Sequence, residues 1–182
     1  MTHTLKLSAI AAAMFAAGAC MAATTHAPDP AKPVDLAKFY SGSWAEIGRH
    51  PMKITDGCVA GATEYKAVSA TKIAVRDICH DKTPSGKLKD IGGPATILDP
   101  GTNAKLHVSY KVLGGVITIN RDYWVLDHAD DYSWFISSDP TFENLWIYTR
   151  DPRVDRQTLD GLIARAKSMG YDVGKLEFPA QP

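Results

Sequence analysis

The stretch Ala104-Lys105-Leu106-His107-Val108-Ser109-Tyr110 alternates without interruption, with Leu106, Val108 and Tyr110 on one face and Lys105, His107 and Ser109 on the other. Successive side chains of an extended strand point to opposite sides of a sheet, so a period of two means one dry face and one wet face. Working outward from this strand, similar runs occupy residues 44–50, 58–68, 72–79, 87–98, 118–127, 132–137 and 144–150. Asp99-Pro100-Gly101, Gly114-Gly115, Ala129-Asp130-Asp131 and Asp139-Pro140 separate several of them, and these residues form turns because they tolerate or pre-set the required backbone angles. No helical period intervenes. Eight short strands in succession therefore predict an antiparallel meander.

One helix follows the strands. Asp155 can cap it, Val154 and Leu159 are spaced as a hydrophobic staple, and Gly170 ends it. Leu159, Leu162, Ile163, Ala166 and Met169 recur at helical spacing, so one stripe must be buried against the sheet. A last strand is expected at residues 174–178. Together these elements predict an all-β fold: an eight-stranded antiparallel up-and-down barrel with a C-terminal α-helix packed on its outside. Closure removes the exposed edges that an open sheet would leave.

The chain has 182 residues, with 20 Lys+Arg against 20 Asp+Glu. A nucleic-acid binder would show a basic surplus, and there is none. At 45% apolar and 22% charged, the composition also excludes a largely disordered chain and a polytopic membrane protein. Residues 1–22 hold one charged side chain, Lys6, then an apolar run too short to span a bilayer, then small residues, the pattern of an export signal. Two cleavage chemistries fit. Ala17-Gly18-Ala19 satisfies an A-x-A site, and Ala17-Gly18-Ala19-Cys20 resembles a bacterial lipoprotein box with Ala17 in place of the usual Leu, which would leave Cys20 lipidated. Residues 23–33, with Pro28, Pro30 and Pro33, read as a linker, and residues 34–182 as the folded domain.

Export implies an oxidising compartment. Cys58 and Cys79 flank two strand-like runs with a polar break between them, so folding that hairpin sets the two cysteines against each other as a cross-strand disulfide. Their spacing has no C-x-x-C partner and does not suit zinc. The mature chain lacks the nucleophile-elbow, zinc-protease, phosphate-loop and dinucleotide motifs. No catalytic residue, cofactor or metal is expected.

Val34-Asp35-Leu36 and Phe39-Tyr40-Ser41-Gly42-Ser43-Trp44-Ala45-Glu46-Ile47 resemble the Gly-x-Trp opening of a lipocalin. Leu145-Trp146-Ile147-Tyr148-Thr149-Arg150-Asp151-Pro152 resembles the closing motif of that family, and the helix ending in Gly170-Tyr171-Asp172-Val173 also fits. The likeness spans residues 34–178 and is greatest to the bacterial outer-membrane lipocalins and apolipoprotein D. The middle motif departs from the pattern, reading Leu126-Asp127-His128-Ala129-Asp130-Asp131-Tyr132.

The resemblance implies a cup that holds a small apolar molecule such as a fatty acid or lysophospholipid. Trp44 would lie at the closed end with Arg150 across it, making Gly42, Trp44 and Arg150 structural. The family register combined with the alternation points Glu46, Gly48, Tyr65, Val75, Asp77, Leu106, Val108, Tyr110, Tyr123, Val125, Trp146 and Tyr148 inward. Of these, Glu46, Tyr65, Asp77, Leu106, Val108, Tyr110, Tyr123, Trp146 and Tyr148 are the expected ligand-binding residues. Buried Glu46 and Asp77 need partners, either tyrosines and Arg or a ligand carrying a donor or cation. The expected role is storage or transport of lipid in the periplasm or at the outer membrane, by a monomer or homodimer. The alternatives are an isomerase-like barrel enzyme, with Asp77, Glu46 and Tyr65 as its acid/base set, and a structural envelope protein without a ligand.

Overall fold

The computed structural model describes residues 26–182. The expected export signal at residues 1–22, the expected Cys20 acceptor and the first residues of the expected linker lie outside that range.

Eight strands form the closed antiparallel barrel: β1 (Ser41–Arg49), β2 (Cys58–Ala67), β3 (Lys72–Asp81), β4 (Leu88–Ile97), β5 (Lys105–Val112), β6 (Ile117–His128), β7 (Trp134–Ser138) and β8 (Leu145–Thr149). Each pairs with the next, and β8 returns to β1 with Tyr148 opposite Glu46. The alternation in β5 emerges as read, with Leu106, Val108 and Tyr110 buried while Lys105, His107 and Ser109 face outward.

Two apolar regions result. The barrel interior packs Phe39, Trp44, Ile73, Val75, Leu106, Val108, Val125 and Phe135 with their neighbours. The outer region lies between the barrel and α2 (Arg156–Ser168), where Leu162 meets Ile47 and Ile147 while Ala166 packs with Leu126, Ile136 and Leu145. Asp155 caps α2 by accepting from the Thr158 amide at 2.7 Å, and Val154 and Leu159 join the same apolar cluster as the staple predicts. Gly170 follows the helix at φ +94°, a left-handed conformation that costs glycine little.

The closed end is a plug. α1 (Leu36–Phe39), capped by Asp35, lowers Phe39 onto Trp44, and both are fully buried. The Arg150 guanidinium lies 3.5 Å from the Trp44 ring centroid and donates to the Ser41, Ser43 and Lys38 carbonyls at 2.7, 3.0 and 2.9 Å. The divergent middle motif is organised here too. His128 stacks on Tyr132 and hydrogen-bonds the Pro33 carbonyl, while Asp127 pairs with Arg165 at 3.2 Å.

Three expectations require correction. The segment from residue 26 to residue 33 is no free linker. Ala27 is buried against Trp124 and Tyr171, and the amides of Ala27 and Ala31 donate to Pro140 and Leu126. Its prolines lack amide hydrogens, so an extended, sparsely bonded course along the barrel suits them.

Residues 174–178 form no strand: Val173–Lys175 is a 3-10 turn, followed by a single bridge from Glu177 to Arg49. Both edges of β1 are already taken by β2 and β8, so a closed barrel offers a ninth strand nothing to pair with. The tail instead satisfies groups freed at irregularities. Ala180 accepts from the Ala60 amide at the β2 bulge, and Gln181 donates to the Glu46 carbonyl at the β1 bulge.

Gly48 does not point inward. The β1 bulge between Glu46 and Gly48 shifts the register, so Gly48 faces Phe178 and Ile147 on the outside while Arg49 turns in.

Candidate functional site

The loops β1–β2, β3–β4, β5–β6 and β7–β8 surround the open end of the barrel, opposite the Trp44 plug. Beneath them is a cavity of about 650 Å³, within the size range of sites that enclose small molecules. Its walls carry Val75, Ile91, Val108, Ile119 and Trp146, with Met52 at the β1–β2 side.

A polar girdle crosses this apolar cup. Asp77 accepts from Thr63 at 2.7 Å through one carboxylate oxygen and from Tyr110 at 2.5 Å through the other. The Tyr110 hydroxyl has one proton and gives it to Asp77, so the Tyr123 hydroxyl at 3.1 Å donates to Tyr110. By the same count, Tyr148 donates to Thr63 across 3.4 Å. Three strands supply this chain because β2, β3 and β5 each present an inward residue at this depth, and β6 and β8 extend it. Burial holds the Asp77 carboxyl above the usual carboxylate range, against the opposing pull of the Tyr110 and Thr63 hydrogen bonds. Burial likewise raises the tyrosines: Tyr65, Tyr110, Tyr123 and Tyr148 stay neutral donors at any physiological pH.

Glu46 forms a second buried polar unit. Arg49 donates to it at 2.6 Å and also holds Glu177 at 2.6 Å and the Cys58 carbonyl at 2.9 Å. Burial raises the Glu46 carboxyl and Arg49 partly offsets this, while the two glutamates keep Arg49 charged despite its burial. The two inward carboxylates therefore have protein partners, tyrosine and threonine for Asp77 and arginine for Glu46.

Of the expected ligand-binding residues, Glu46, Tyr65, Asp77, Val108, Tyr110, Tyr123, Trp146 and Tyr148 border the cavity. Leu106 does not. It is 3% exposed and packed into the solid floor with Val125 and the aromatic plug, because β5 enters at the closed end and its first inward residue lies deepest. That floor is filled by stacking, Phe135 on Tyr148 at 4.6 Å and edge-on to Trp44 at 4.8 Å.

Thr63, Ile91, Ile119 and Arg49 also line the cavity but were not picked out from the sequence. Stepping by two from Tyr65 finds Thr63, and stepping by four from Tyr123 finds Ile119. Ile91 follows only from its pairing with Asp77 across β3 and β4, and Arg49 only from the bulge. The Cys58–Cys79 disulfide joins β2 to β3 beside the mouth, with Cα atoms 5.4 Å apart. Among the described residues, no cluster of His, Cys, Asp and Glu is arranged to hold a metal ion.

Residues 34–181 match the lipocalin-like domain family. The chain is 28% identical over 187 aligned positions to the outer membrane lipoprotein Blc of Escherichia coli, covering 98% of this chain and 97% of that protein. It is 27% identical over 158 residues to the outer membrane lipoprotein Blc of Vibrio cholerae, covering 85% and 88%. Temperature-induced lipocalin-1 of Arabidopsis thaliana is 29% identical over 145 residues, covering 78% and 77%. Among solved structures, insecticyanin from the tobacco hornworm Manduca sexta shares the fold with a TM-score of 0.66 at 21% identity, covering 86% of each chain.

Proposed function

This chain belongs to the lipocalin-like family, and from that premise we propose that it stores or carries one fatty acid or lysophospholipid in the bacterial cell envelope. The cavity of about 650 Å³, walled by apolar side chains and open at one end, supports this reading. An acyl chain of ~16 carbons gains up to ~12 kcal/mol at ~0.8 kcal/mol per buried methylene, before immobilisation costs reduce it.

The girdle sets the direction of entry. An anionic head group placed beside Asp77 is repelled by an ionised carboxylate and finds Asp77's Tyr110 and Thr63 donors already engaged. Lys89 borders the cavity on the mouth side of Ile91, so the head group stays there and the tail descends between Ile91, Val108, Ile119 and Trp146. In this reading Glu46, Tyr65, Asp77, Tyr110, Tyr123 and Tyr148 are also contact residues, giving the tail aromatic faces and fixed hydroxyls.

The names of the bacterial relatives, outer membrane lipoproteins, support an exported protein anchored through Cys20. We read it as a binder rather than an enzyme, since Asp77 and Glu46 are each tied to structural partners and do not form a free acid/base pair.

Native mass spectrometry of protein purified from the periplasm tests the proposal. The expected result is a folded chain carrying one lipid, with occupancy strongly reduced by Ile119→Trp, which fills the cavity. A folded chain that neither retains nor takes up any single-chain lipid would overturn it.

A further inference from the structure

Five of the eight large apolar side chains most exposed among the described residues lie at one end of the barrel. Ile54 is in the β1–β2 loop, Leu88 follows the β3–β4 loop, and Leu113, Val116 and Ile117 form the β5–β6 tip. That tip reads Val112-Leu113-Gly114-Gly115-Val116-Ile117, six residues without one polar side chain. Leu113 is 73% exposed and Val116 85%. Hairpin tips facing water are normally built from Asn, Asp, Ser and Gly, so an apolar tip of this kind is unusual for a solvated turn. Leu113 holds φ +49° and is followed by two glycines also at positive φ, so the turn itself keeps the leucine projecting.

Basic residues flank the tip. Lys111 adjoins it on β5, exposed Lys82 and Lys87 lie in the neighbouring β3–β4 loop, and Lys53 is beside Ile54. The acidic groups at this end are Asp56, Asp81, which pairs with Lys89, Asp139 and Glu143 on the β7–β8 side, and Glu177 and Asp172 of the C-terminal segment, which pair with Arg49 and Lys175. The chain also approaches from here. Ala27 is hydrogen-bonded to Pro140 in the β7–β8 loop, so His26, the first described residue, lies at the open end. Five residues lie between Cys20 and His26, a reach of at most ~20 Å.

We propose that the rim of the barrel mouth is a docking surface for a lipid bilayer with anionic head groups. Leu113 and Val116 insert at the head-group boundary, and Lys111, Lys82, Lys87 and Lys53 face the anionic lipids. Docked in this way, the cavity opens onto the membrane and not onto bulk water, and an acyl anchor on Cys20 would hold the same end down. The docking itself does not depend on the identity of any ligand in the cavity.

The test uses periplasmic protein carrying Cys20→Ser, its N-terminus verified by mass so that neither leader nor acyl group contributes. Co-flotation is measured with vesicles of phosphatidylethanolamine and phosphatidylglycerol, and with phosphatidylcholine alone. Binding to the anionic vesicles should weaken with salt and fall at least about tenfold with Leu113→Asp plus Val116→Asp. The double variant keeps the parent's thermal midpoint and its affinity for a soluble fluorescent fatty acid. Val68→Asp, at the closed end, keeps full vesicle binding. Absence of flotation with anionic vesicles, equal flotation of the double variant, or an equal loss with Val68→Asp would each refute the proposal. So would sedimentation showing that the tip holds two copies of the chain together and is covered in solution.

Discussion

Replacing Arg150 by alanine removes the cover of the barrel floor, and the structure fixes what is lost. The guanidinium lies 3.5 Å from the Trp44 ring centroid and makes three well-formed hydrogen bonds to the Ser41, Ser43 and Lys38 carbonyls. Trp44 itself is fully buried and donates to the Phe39 carbonyl. Hydrogen bonds from a charged donor contribute ~1.5–3 kcal/mol each when well desolvated, but Arg150 is half-buried and ~1 kcal/mol each is the appropriate scale. The cation over the indole adds ~0.5–2 kcal/mol. The expected loss is therefore about 4 kcal/mol, or roughly 8–16 °C in thermal midpoint for a domain of this size. Urea denaturation followed by tryptophan fluorescence measures it. Arg150→Lys keeps the charge but not the planar fork that reaches three carbonyls, and should recover less than half of the loss. Ligand affinity should not change, because Arg150 and the mouth are at opposite ends. A loss below ~1 kcal/mol for the alanine variant, or full stability for the lysine variant, would show that this contact is not what secures the plug.

Three further outcomes follow from particular residues. Cys58→Ser should cost about 3 kcal/mol relative to the oxidised parent, from the loop that the bridge closes, and nothing relative to the reduced parent, with both compared by thermal melts. Gly93→Ala should prevent barrel assembly, since its Cβ would sit 2.0 Å from the Ser109 carbonyl oxygen on the adjacent strand; a native circular-dichroism spectrum and melt would contradict this. Asp77 has a raised carboxyl pKa in the folded chain, so its contribution is fully present below the ordinary carboxylate range and is lost as pH rises through the folded value. Asp77→Asn should therefore flatten the decline in stability between acid and neutral pH, and melts across that range that run parallel to the parent would argue against a desolvated carboxylate.

The barrel could be read from the chain because its strands obey a local rule. In β5 the period of two is unbroken, and every strand begins and ends within about three residues of where the turn signals place it. Misreadings arise where the period breaks or where depth matters. A single extra residue in β1 sends Gly48 outward and Arg49 inward, and no side-chain pattern around Ile47 announces that bulge. Leu106 and Val108 have the same alternation, yet one is in the packed floor and the other borders the cavity. The difference comes from strand direction and the aromatic plug contributed by distant Phe39 and Phe135. Residues 174–178 have strand character but no free edge to join, a consequence of closure that belongs to the whole sheet. The segment around Ala27 gave no apolar period, so its docking depends on a few backbone bonds and one small buried side chain.

The central claim is that an acyl chain occupies the inside of the barrel, and paramagnetic broadening by a nitroxide-labelled stearic acid tests it most directly. The methyl signals of Ile91, Val108 and Ile119, which line the cavity, are predicted to be lost, while those of Ile147 and Leu162, between barrel and helix, broaden less. Broadening confined to Ile147 and Leu162, or none at saturating fatty acid, would contradict it.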